Sequence, residues 1–71
     1  MALGKYLSSL TKPELEELKE LLNLTDEEEI IVNNLSKGRG RIQTAEKCMI
    51  SVPALDRKIE NICKKLKRIG V

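Results

Sequence analysis

Leu55, Ile59, Ile62, Leu66 and Ile69 recur at intervals of four, three, four and three residues, which is the repeat of one side of an α-helix. At about 100° per residue, Pro53, Arg57, Asn61, Lys64 and Arg68 fall on the opposite side. The pattern predicts a helix from Val52 to about Ile69 that packs by one side and offers cations and an amide by the other. Ser51 stands before it as an N-cap, because its hydroxyl can accept from a free backbone N–H at the helix start. Pro53 lies in the first turn, where a missing N–H costs little. A shorter helix is expected from about Ile42 to Cys48, with Ala45 small enough for close helix approach, and a turn over Met49 and Ile50 joins the two.

Two earlier helices announce themselves by their caps. Thr11 with Glu14, and Thr25 with Glu28, have the Ser/Thr-x-x-Glu spacing of a capping box. The first opens a helix over 11–23 with Leu15, Leu18 and Leu22 on one face, Leu21 beside it and carboxylates on the other side. The second opens a helix whose first turn holds Asp26, Glu27, Glu28 and Glu29, suited to the positive end of the helix dipole. Ile30, Ile31, Val32 and Leu35 supply its apolar side, and Gly38 ends it as a left-handed cap. Residues 1–10 form an N-terminal arm in which Leu3, Tyr6, Leu7 and Leu10 allow either a short helix docked on the core or a frayed end. The expectation is an all-α small helical bundle, one domain over 1–71, with four main helices and no strands.

Composition narrows the class. With 71 residues, 41% of them apolar and 34% charged, the chain fits a small soluble helical domain. Tyr6 is the single aromatic residue, so the core must be aliphatic. No apolar run approaches the roughly 20 residues that span a bilayer, and no secretory signal is visible, so a cytoplasmic location without membrane contact is expected. Two cysteines, Cys48 and Cys63, and no histidine cannot furnish a four-ligand zinc site. Buried, reduced thiols are expected instead. The acidic run 26–29 lacks the alternating ligands and the glycine of a calcium loop, and Gly38-Arg39-Gly40-Arg41 is not followed by the Lys-Ser/Thr of a phosphate loop. No metal and no cofactor are expected, and the absence of histidine and of any activated nucleophile pattern argues against an enzyme.

Charge changes the picture more. The net charge is only +2, but it is divided. Residues 1–35 hold three lysines against eight carboxylates, and 36–71 hold ten basic against three acidic residues, so the halves carry −5 and +7. A basic half bearing an outward cationic helix face points either to a polyanionic partner or to basic residues that simply solvate the helix and complement its C-terminal dipole.

The register of several residues adds a resemblance. Gly38 comes 13 residues after Thr25, Ala45 seven after Gly38, Ser51 six after Ala45 and Leu55 four after Ser51, with Ile62 and Lys65-Leu66 continuing the last helix. Over 24–66, or 43 of 71 residues, the chain resembles the tri-helical helix-turn-helix of LuxR-type regulators and of sigma-factor region four. That resemblance implies a helix-turn-helix core over 24–69 preceded by an extra N-terminal helix, with the helix after Ser51 inserted in the major groove of DNA. The family usually has glycine where this chain has Met49. A positive φ there would strain Met49 by roughly 1 kcal/mol.

The expected function is therefore that of a DNA-binding protein, a small transcriptional regulator or a phage- or mobile-element-type accessory factor, with double-stranded DNA as partner. Arg57 and Asn61 are candidates to read base edges, since Arg pairs with guanine and Asn with adenine, and Pro53 and Ala54 are candidates to touch a thymine methyl. Arg39, Arg41, Lys47, Lys58, Lys64, Lys65 and Arg68 are the phosphate candidates. Asp56 and Glu60 are acidic on the same helix and favour the alternative, a helical protein-interaction module that binds a protein such as RNA polymerase. A homodimer through Leu66, Ile69 or the N-terminal arm is a further expectation, because the apolar stripe at the end of the last helix exceeds what so small a core would cover, unless the helix over 11–23 covers it within one chain.

Overall fold

Capping chemistry sets the helix boundaries. The computed structural model describes residues 3–70; Met1, Ala2 and Val71, which the single expected domain includes, lie outside it. Five helices follow one another: α1 (Leu3–Ser8), α2 (Lys12–Leu22), α3 (Asp26–Ser36), α4 (Arg41–Cys48) and α5 (Val52–Arg68). No strand occurs among the described residues.

Both capping boxes form. The Glu14 amide donates to Thr11 Oγ1 at 3.4 Å and the Thr11 amide to Glu14 Oε1 at 2.9 Å. At α3 the Glu28 amide donates to Thr25 Oγ1 at 3.2 Å and the Thr25 amide to Glu28 Oε1 at 3.1 Å. The α3 C-terminus closes with a double return: Gly38 (φ +82°) donates to the Leu35 carbonyl and Arg39 to the Asn34 carbonyl. This is the paired hydrogen bond of a glycine-terminated helix.

The same closure recurs between α4 and α5 without a glycine. Met49 takes φ +58° and donates to Glu46 O, while Ile50 donates to Ala45 O at 3.0 Å. The Met49 side chain is 91% exposed, so it gains no packing in return for the strained backbone. Ser51 then caps α5, its Oγ accepting from the Ala54 amide at 3.3 Å.

The interior is aliphatic. Ile31 and Val32 of α3 and Leu55, Ile62 and Leu66 of α5 are completely buried, and Leu18, Leu22, Leu35 and Ala45 close around them. α3 contacts α1, α4 and α5, and α5 also contacts α2 and α4. The result is a body of 28 × 22 × 21 Å. Buried polar side chains are satisfied: Thr44 Oγ1 donates to Gly40 O at 2.9 Å, and Asn34 donates to Ile30 O at 2.7 Å.

Packing decides two expectations. Of the two states open to the N-terminal arm, the docked helix is the one formed: α1 adds to the four main helices, with Leu3 and Leu7, one turn apart, buried against α3. The end of the α5 stripe is covered within one chain: Ile62 and Leu66 have no exposed surface, and α2 packs on α5. Leu66 is therefore not available to a second copy, and only Ile69, 39% exposed, remains open.

Candidate functional site

α5 divides its polar residues into three rows by angle. Pro53, Arg57, Asn61, Lys64 and Arg68 are all exposed and face away from Leu55, Ile62 and Leu66. Lys58 and Lys65 stand on the flank toward the start of α3, where they meet its acidic first turn. Lys58 Nζ lies 3.2 Å from Glu27 Oε1, and Lys65 Nζ lies 2.6 Å from Glu28 Oε1. Asp56 stands on the other flank and accepts from Arg41 of α4 at 3.2 Å.

The pair with Arg41 accounts for Asp56, one of the two acidic residues of α5. Asp56 bridges to α4. Glu60 lies 3.9 Å from Lys64 one turn on, with both side chains well exposed. Such a pair is worth little in water.

The sequence-derived candidates are thus not equivalent. Of the base-contact set, Pro53, Arg57 and Asn61 are exposed and Ala54 is half-buried. Of the phosphate set, Lys47, Lys64 and Arg68 are exposed. Arg39 is half-buried and donates to Asn34 Oδ1 at 2.6 Å. Arg41, Lys58 and Lys65 hold the carboxylates named above. Lys67, which the stripe-based selection passes over, is also exposed; its charge alone was the available signal.

Asn61, Lys64 and Arg68 border an open groove of about 380 Å³ that they share with Thr25 and Glu28 at the start of α3 and with Lys58 and Lys65. Burial works against the charge on Glu28, but hydrogen bonds from Lys65 and from the Thr25 amide outweigh it, so the carboxyl stays below its ordinary pKa. Glu28 therefore remains an anion and keeps Lys65 engaged at neutral pH. The groove's cations outside these contacts are Arg68 and Lys64, the latter in only the weak exposed pair with Glu60.

Both cysteines are free and half-buried rather than fully buried. Burial, reinforced by the nearby charge of Glu27 and opposed by Lys58, pushes the Cys48 thiol up from its ordinary pKa. It is a poor nucleophile at neutral pH. No helix among the described residues is long and apolar enough to cross a membrane. No protein-family model matches the chain, and comparison with curated proteins and with solved structures finds no match.

Proposed function

We propose that α3, α4 and α5 act as a tri-helical helix-turn-helix and that the protein binds double-stranded DNA through the outward row of α5, as a small regulator or accessory factor. The observation that carries this reading is that Pro53, Arg57, Asn61, Lys64 and Arg68 are all exposed on one side of a helix whose other side is the core. Arg57 lies in the first half of α5, where the residues of such a helix approach base edges, and Asn61 follows one turn on, just past the helix midpoint. Lys64 and Arg68 follow along the same row toward the phosphates, and Lys47 of α4 adds a further exposed cation. The left-handed Met49 and the cap at Ser51 support the reading, since they supply a short turn at the position where the resemblance has glycine.

Selection of bound duplexes from a random pool at physiological salt, followed by salt titration on the winning sequence, tests the proposal. A shared motif is expected, with log affinity falling linearly as log salt rises, because phosphate contacts release counterions. An unenriched pool with no salt-dependent binding rejects it.

The alternative is a protein-interaction module that uses the same face on a partner such as RNA polymerase. Exposed Glu60 beside Asn61 favours it, since a carboxylate there is repelled by phosphate. Binding to polymerase with no affinity for duplexes would select this reading.

A further inference from the structure

Leu21 is the most exposed leucine or isoleucine of α2 and α5, at 60%. The core is complete without it. Leu21 sits between two shallow depressions. One, of about 270 Å³, joins it to Arg68 and Ile69 at the end of α5. The other, of about 190 Å³, joins it to Tyr6, Leu10, Glu14 and Glu17. Glu14, Glu17 and Leu21 occupy one side of α2 by their spacing of three and four. The surface therefore runs from the carboxylates of Glu14 and Glu17 through Leu21 to an end where the 39%-exposed Ile69 lies with the cations Lys65 and Arg68.

A strip ordered acid, apolar, base is complementary to its own copy turned through 180°. A two-fold interface requires this, because each residue meets its counterpart reciprocally. We infer that a second copy of this chain docks on the Leu21–Ile69 strip, with α2 antiparallel to its counterpart and Glu14 and Glu17 of each copy facing Arg68 of the other.

A stable pair needs about 800 Å² per partner, about a sixth of the 4824 Å² that this chain exposes. The inference stands on α2 and the end of α5; it shares only Arg68 with the DNA reading and leaves Arg57, Asn61 and Lys64 to that face. It replaces Leu66, which is buried, as the origin of assembly.

Sedimentation of the wild-type chain and three variants over an about hundredfold range of loading tests it, with helical content checked by circular dichroism. Wild type is expected to move from monomer to dimer as concentration rises. Glu17→Arg and Arg68→Glu should each raise the dimer dissociation constant by about tenfold or more. Both positions are exposed, so the fold should survive. The Glu17→Arg/Arg68→Glu double variant should recover most of the affinity, because it exchanges the charges across the interface. Wild type that stays monomeric throughout, or a double variant as weak as the singles, overturns the inference. A monomer that still binds duplex DNA overturns it and leaves the proposed function standing.

Discussion

Lys65 Nζ donates to Glu28 Oε1 at 2.6 Å across 37 residues of sequence, and the same oxygen accepts the Thr25 amide that opens α3. One carboxylate thus ends the helix cap and fixes the flank of α5. The Glu28 side chain is 10% exposed and the Lys65 side chain 30%, so removing either partner leaves a polar group poorly hydrated. Glu28→Gln keeps the shape and loses the charge. It should cost about 1–3 kcal/mol at neutral pH, read from urea midpoints. Because folding holds the Glu28 pKa below its ordinary 4.5, the contribution is complete above that pH and disappears as pH falls through the folded-state value. The gap between wild type and Glu28→Gln should therefore close on acidification below that point. A gap independent of pH would mean that the charge is not what stabilises the contact.

Met49 offers a change in the opposite direction. Its φ of +58° is a conformation that glycine adopts freely, and its side chain is almost entirely exposed. Met49→Gly should stabilise the fold by about 1 kcal/mol, somewhat reduced by the extra freedom of glycine in the unfolded chain. For a domain of this size that corresponds to a melting rise of about 4–8 °C. A lower melting temperature would show that Met49 makes a contact that its exposure hides.

The stripe of α5 separates into positions of unequal worth. Leu55 is completely buried, whereas Ile59 is half-buried. Leu55→Ala should cost about 2–5 kcal/mol, and Ile59→Ala less. Leu7→Ala is the informative companion. Leu7 is 1% exposed in α1, so a loss in the same range is expected in thermal melts. Wild-type melting of Leu7→Ala would mean that α1 does not belong to the cooperative core.

The helix starts were legible because their chemistry is local: Thr11 with Glu14, Thr25 with Glu28, and Ser51 with Ala54 each act within three residues. The α5 stripe was legible because a 17-residue helix repeats its period several times. α1 was not, since six residues show little more than one repeat and its helicity rests on burying Leu3 and Leu7 against α3. The candidate site was legible in outline only. Spacing gave the outward row from Pro53 to Arg68, but it could not tell Lys64 from Lys65. Tertiary packing makes that distinction by bringing Glu28 to Lys65 and Asp56 to Arg41, 37 and 15 residues away.

That distinction makes the phosphate candidates separable. Lys64→Ala should reduce affinity similarly for all duplexes and lower the salt slope by about one. Lys65→Ala should act first on stability, through Glu28, with a smaller change in the slope. Equal salt slopes for the two variants, at equal stability, would place both lysines in the same environment and contradict the pairing.

If the outward row of α5 reads DNA as proposed, Arg57 is the residue that shows it most directly. Its exposed guanidinium faces away from the core, and Asp56 is turned to Arg41. Fluorescence anisotropy with the selected duplex and a scrambled one, for wild type and Arg57→Ala, is the measurement. The account predicts a loss of about 1–3 kcal/mol on the selected duplex, little change on the scrambled one and a relaxed base preference at one position. Unchanged affinity for both duplexes would contradict it and give the face to a protein partner.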